Sequence, residues 1–109
     1  MSCPAVYNMY TAYAGGGLDI EELEIDDHIL DKIESKHGIQ LEEAEEVCLW
    51  GRPHIRKTRN GLFKVLGRTA AGRYLLVVLV FKVDGVYRLV TAREMTSNER
   101  RLYRRVMGV

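Results

Sequence analysis

Cysteine is scarce in this sequence. Cys3 and Cys48 are the whole complement, and neither stands in a CxxC or CxH spacing, which argues against a disulfide framework, a metal centre or a thiol redox site. Cys48 reads instead as apolar filler on a helix. Long apolar runs are missing too: nothing reaches the ~18 residues a membrane span needs, and the start lacks the basic-then-apolar order of a secretory signal. The expectation is a cytoplasmic protein with no membrane association. Proline is limited to 2 residues while 47% of the chain is hydrophobic, which excludes a disordered chain and predicts one small globular domain. Charge is absent from residues 1–17, which end in Gly-Gly-Gly. That composition predicts a flexible N-terminal tail without function, despite the regular recurrence of Tyr7, Tyr10 and Tyr13. The folded domain is expected over residues 18–109.

The charge that is present is divided by sign. Residues 18–47 carry 12 acidic side chains against Lys32 and Lys36, a net −10, whereas residues 51–109 carry 14 Lys plus Arg against 3 acidic residues, a net +11. Either the halves neutralise each other across the fold, or the second half meets a polyanion.

Periodicity predicts an α+β architecture. Leu18 to Leu23 can form a short strand. Asp26 or Asp27 then caps a helix whose apolar stripe is Ile29, Leu30 and Ile33, and Gly38 stops it. A second helix carries Leu41, Ala44, Val47 and Cys48 on one side, with Glu42, Glu43, Glu45 and Glu46 as a solvated face. Beyond it, Asn60-Gly61, the Thr69–Gly72 turn and Asp84-Gly85 separate four strand-like runs, predicting an antiparallel meander. Residues 52–59 are polar and contain Pro53, so they belong at an edge, while the continuously apolar 74–81 belongs at the centre with both faces covered. Thr96 followed by Glu99 fits a capping box for a last helix, with Leu102 and Val106 packing inward beside Tyr103. The fold class is thus a small sheet packed with two N-terminal helices and one C-terminal helix.

The basic residues point to phosphate. Alternation through Tyr87, Leu89, Thr91 and Arg93 ends on an arginine just before the last helix, and Arg68 ends another strand at "FKVLGR". Arginine cannot accept a proton near neutrality, but its planar fork matches phosphate oxygens. Amides of Thr96, Ser97 and Asn98 would add donors at the start of the last helix, opposed in part by Glu99. Further candidate contacts are Arg52, His54, Arg56, Lys57 and Arg59 on the edge strand, Lys64 on the next, and Arg100, Arg101, Tyr103 and Arg104 on the last helix, followed by Arg105. These basic groups suit either an RNA backbone or an acidic protein; a solvated basic face is the plain alternative.

The segments "KHGIQLEEAEEV", "LFKVLGRTAAGRYLLVVLVF" and "VYRLVTAREMTSNERRLYRR", in that order, resemble the BrnT family of toxins from bacterial type II toxin–antitoxin modules, related to the RelE superfamily. The resemblance spans residues 18–105. It implies a RelE-like fold and a metal-independent endoribonuclease that needs no cofactor, halts growth and is neutralised by an antitoxin of BrnA type, in a hetero-oligomer with an antitoxin dimer. The family's motif positions fall on Lys36 and His37 in "KHG", Arg68 in "LGR" and Arg93 in "TARE", with Glu99, Arg100 and Tyr103 matching the last helix. Two departures stand out: "LEIDD" lacks the Trp that members carry before the first helix, and the 17-residue leader is additional.

Cleavage by the ribose 2′-hydroxyl requires a proton acceptor, groups that stabilise a five-coordinate phosphate, and a proton for the leaving oxygen. Arg68 and Arg93 suit the phosphate, Lys36 would supply charge, and His37 is the leading proton carrier, with an ordinary pKa near ~6.5. The alternative for His37 is a helix C-terminal residue interacting with the dipole of its own helix. His54 is a second proton carrier, and His28 reads as solvated. Three classes of function therefore stand: toxin ribonuclease, non-catalytic nucleic-acid-binding module, and interaction domain for an acidic partner.

Overall fold

The structure, a computed structural model, describes residues 20–50 and 53–108. The tail expected over residues 1–17, the start of the first expected strand and Arg52 lie outside the described residues. The elements run β1 (Glu22–Glu24), α1 (Asp27–His37), α2 (Leu41–Glu45) continuing into a π-helical turn (Glu46–Trp50), β2 (His54–Lys57), β3 (Leu62–Arg68), β4 (Tyr74–Val83), β5 (Val86–Glu94) and α3 (Ser97–Met107). Asp26 caps α1 by accepting the His28 N–H at 2.8 Å, and Gly38 closes it with φ 64, a left-handed conformation that glycine adopts without Cβ strain. No described helix is long and apolar enough to cross a membrane.

The strands form one five-stranded sheet in the order β1-β5-β4-β3-β2. β2 to β5 make the expected antiparallel meander, with the polar β2 at one edge and the apolar β4 in the middle. One correction concerns the first strand: β1 lies beside β5 and runs parallel to it, so the sheet is mixed rather than purely antiparallel. The chain reaches that far edge first, leaves it through two helices and returns from the opposite edge. The parallel contact begins where the Glu21 and Glu22 N–H groups donate to the Gly85 carbonyl at 2.9 and 3.0 Å.

Each face of the sheet meets a different helical layer. On one face Ile33, Ile39, Ala44, Val47 and Cys48 pack against Val65, Leu75, Val77, Leu79, Tyr87, Leu89 and Ala92. Burial there pushes the Cys48 thiol up to about 12. On the other face Leu66, Leu76 and Met95 meet Tyr103, with Tyr74, Val78, Leu102 and Met107 around them. β4 is apolar from Tyr74 to Phe81 because Leu75, Val77 and Leu79 serve the first core and Leu76 the second; each such side chain contributes about 1.5–3 kcal/mol by leaving water.

Two expectations about side chains need correcting. Val106 is 47% exposed, and the inward stripe of α3 is Leu102, Tyr103 and Met107, because Tyr103 and Met107 (i, i+4) centre the face one residue away from the Leu102–Val106 pair. The α2 glutamates are also not all solvated: Glu43 pairs with Arg73 at 2.9 Å, and Glu46 accepts the Ala70 N–H.

Gly67 faces the π-helical turn, and a Cβ built there would stand 2.6 Å from Cγ1 of Val47, itself 1% exposed. Gly67→Ala should therefore overpack the core and lower stability by about 1–3 kcal/mol in urea unfolding. Unchanged stability would mean that the turn yields freely.

Candidate nucleic-acid interface

Strand register decides which basic side chains share a face. Directly paired residues point the same way, and the pairs on the α3 side are Arg68 with Tyr74, Leu66 with Leu76, Lys64 with Val78, and Leu76 with Arg93. The edge strand continues those rows with His54 beside Leu66 and Arg56 beside Lys64. Arg56, His54, Lys64, Arg68 and Arg93 therefore lie on the face covered by α3. Arg68 and Arg93 sit two strands apart, about 10 Å across the sheet, with Tyr74 and Leu76 of β4 between them.

Tyr74 organises one end of that face. The guanidinium carbons of Arg68 and Arg100 lie 5.6 and 5.3 Å from its ring centroid, and Tyr103 meets it edge-on at 6.0 Å. A guanidinium over an aromatic ring is held by the ring's negative face while its N–H edges stay free for an anion. Burial raises the Tyr103 phenol above its ordinary pKa, with Tyr74 adding to the effect and Arg68 opposing it. Sequence reading did not single out Tyr74, although the short turn between Arg68 and Tyr74 was the signal that would have paired them.

Arg93 and Glu99 form the second centre. Arg93 donates from both terminal nitrogens to the two Glu99 oxygens at 2.8 and 2.9 Å, and also to the Glu94 carbonyl at 3.0 Å. The same carboxylate accepts the Thr96 N–H at 2.9 Å, while the Glu99 N–H donates to Thr96 Oγ1 at 3.2 Å. Glu99 thus caps α3 and pairs with Arg93 at once, so a carboxylate of the chain itself sits where an external anion was expected. The Arg93 guanidinium holds the Glu99 carboxyl below its usual range, and Glu99 raises the Arg93 pKa in return.

The remaining candidates fall elsewhere. Lys36 and His37 end α1, whose Ile33 packs on the opposite face of the sheet. The end of α1 nevertheless reaches the end of the sheet where Arg93 stands, since the Gly38 carbonyl accepts from Arg73, which also holds Glu94. Lys57 also points away, lying 5.9 Å from the Phe63 centroid on the α1 side, and Arg59 is exposed in the turn after β2. Arg100, Arg101 and Arg104 line an open hollow of about 360 Å³ with Ser97 on the outside of α3, where Arg101 donates to Asn98 at 3.2 Å. Among the described residues no three His, Cys, Asp or Glu side chains are grouped as metal ligands.

No family model matches the chain, and no curated protein sequence does. Its structure is similar to the crystal structure of the Brucella abortus ribonuclease toxin BrnT, with a TM-score of 0.58 and 12% sequence identity over 70% of this chain and 97% of that one. The chain therefore has a BrnT-like α+β fold.

Glu99 gives a pH test of the Arg93 pair. Its lowered carboxyl pKa contributes stability that is present above the ordinary value of 4.5 and is lost as pH falls through the folded-state value. Urea melts should show stability falling from pH 5 towards pH 3, and Glu99→Gln should flatten part of that fall. Identical acid profiles would show that the pair adds nothing.

Proposed function

We propose that this protein is a toxin-type endoribonuclease that cleaves RNA through attack by the ribose 2′-hydroxyl, without a metal ion, and is neutralised by a protein antitoxin. One observation carries the reading: in a fold shared with a ribonuclease toxin, a single sheet face and α3 gather Arg56, Lys64, Arg68, Arg93 and Arg100, with Arg68 and Arg100 over Tyr74. Charge of one sign on one face attracts a polyanion, and guanidiniums fit its phosphates in two-pronged contacts.

In this reading Arg68 and Arg93 hold the scissile phosphate from opposite sides of Tyr74 and stabilise the charge that grows on its oxygens during attack. Arg93 spends three of its N–H groups on Glu99 and Glu94, leaving two for the phosphate. The pairing with Glu99 fixes the fork before RNA arrives. Lys64, Arg56 and Arg100 meet flanking phosphates. Lys36 and His37 take no part in that grip. The row Arg100, Arg101 and Arg104 on the exposed side of α3 suits an acidic segment of an antitoxin, which would cover the anion face and block RNA in a hetero-oligomer.

The commitment of Arg93 to Glu99 favours a second reading, in which the face binds RNA but does not cut it. Induced expression distinguishes the two. The ribonuclease reading expects growth arrest with RNA fragmentation, abolished by Arg68→Ala or Arg93→Ala, and stability of either variant within about 1 kcal/mol of wild type because both side chains are partly exposed. Intact RNA in cells accumulating folded wild-type protein would sink it.

Binding has its own signature. Affinity for an RNA with 2′-methoxy groups, which cannot be cleaved, should fall steeply as salt rises, and removing Arg68 should lower the slope of log K against log salt by about 1. A flat salt response would mean that phosphates are not the ligand.

A further inference from the structure

His54 occupies a place on this face that no other titratable side chain shares. The register sets it beside Leu66, whose other neighbour in the row is Leu76, followed by Arg93. Lys64 and Arg68 flank Leu66 on the same side of β3. α3 packs over Leu66 through Tyr103, so His54 lies at the edge of the helix-covered region rather than in open solvent. Its Nδ1 is buried and has no hydrogen-bond partner among the described residues.

We propose that His54 is the proton acceptor of this face, taking the proton of the ribose 2′-hydroxyl in the cleavage reaction, an inference that rests on the ribonuclease reading above. The closed-off Nδ1 can exchange no proton, so transfer runs through Nε2, which is bare when the neutral ring carries its hydrogen on Nδ1. Burial, and after it the nearby Arg56, lowers the His54 pKa, which agrees with that geometry. The ionisable groups on the elements packed against it are Lys64 and Arg68 of β3, Glu99, Arg100, Arg101, Tyr103, Arg104 and Arg105 of α3, and Arg56 and Lys57 of its own strand. The α3 carboxylate, Glu99, is spent on Arg93. Among the described residues, no carboxylate therefore draws the ring back to its charged form.

The step balances without a further reactant. The 2′-oxygen forms a bond to phosphorus as its proton passes to His54, the bond from phosphorus to the 5′-oxygen breaks, and that oxygen takes a proton from water. The products are a 2′,3′-cyclic phosphate and a 5′-hydroxyl, and the imidazolium returns its proton to solvent. The cationic face stabilises the phosphate through this exchange, and its repulsion of the imidazolium favours the return.

His54→Gln in the full-length protein tests the assignment. RNA cleavage should fall by about 10²–10⁴-fold, as expected for loss of a general base, while binding of 2′-methoxy RNA is retained. The wild-type rate should rise with pH through the lowered His54 pKa, and the variant should lack that limb. In wild-type protein, which needs no variant to fold, the His54 ring resonances should move when 2′-methoxy RNA binds. A variant that cleaves at the wild-type rate, or ring resonances unmoved by bound RNA, would overturn the role of His54 and leave the ribonuclease reading standing. Wild-type protein that cleaves no RNA would overturn both.

Discussion

The register of the β3–β4 hairpin governs both what this protein buries and what it presents. The turn between the strands is tied by Thr69, whose N–H donates to the Arg73 carbonyl at 2.8 Å, whose carbonyl accepts from Gly72 at 2.9 Å and whose hydroxyl accepts from Arg73 at 3.0 Å. Gly72 takes φ 96 there, a conformation that side-chain-bearing residues rarely adopt. Because strand side chains alternate, a slip by one residue would turn Lys64 and Arg68 into the core and Val65 out of it. The burial of Val65, Leu75 and Val77 forbids the slip. The same alternation therefore builds the core on one side and the cationic face on the other.

A second tie joins the layers at the end of the sheet where Arg93 stands. Arg73 donates to the Gly38 carbonyl at 3.0 Å, to Glu43 at 2.9 Å and to Glu94 at 2.9 Å, joining the end of α1, the start of α2 and the end of β5. Single ion pairs at a surface contribute little, but this guanidinium is 30% exposed and meets two carboxylates and a carbonyl in fixed geometry. Glu94 and Arg93 are consecutive and point to opposite faces. Holding Glu94 from one side therefore sets the backbone from which Arg93 reaches Glu99 on the other.

The features legible in the sequence are those set by neighbours a few residues apart. Asp26, Gly38 and the Thr96–Glu99 box mark helix ends through local hydrogen bonds, and the meander followed from turn residues and the apolar run of β4. The features that escaped depend on distant parts of the chain. Nothing within residues 22–24 says that they will run parallel to β5, and nothing in "KHG" says which layer α1 will occupy. That is why the packing of α1 on the face opposite α3 was not legible in the residues that end it. The Arg93–Glu99 pair was in part readable from their spacing, and its competition with an external anion was readable as well. Tyr74 was hidden because an aromatic in an apolar strand is first taken as core.

The division of charge along the chain can now be resolved residue by residue. Cross-neutralisation between the halves is real but limited: Glu43 reaches Arg73, while Glu24 serves both Lys82 and Arg88. Among the described residues, Arg56, Lys64, Arg68, Arg100 and Arg104 have no carboxylate within ion-pair distance, and all lie on the α3 face of the sheet or on α3 itself. Cations whose only task was to balance the acidic half would sit beside its carboxylates. These are gathered where the acidic helices α1 and α2 do not reach, separated from them by the sheet. Keeping like charges together raises the electrostatic energy of the free protein, and an incoming polyanion relieves that repulsion on binding. Stacking of Arg68 and Arg100 on Tyr74 reduces the conformational freedom those side chains would lose in the complex.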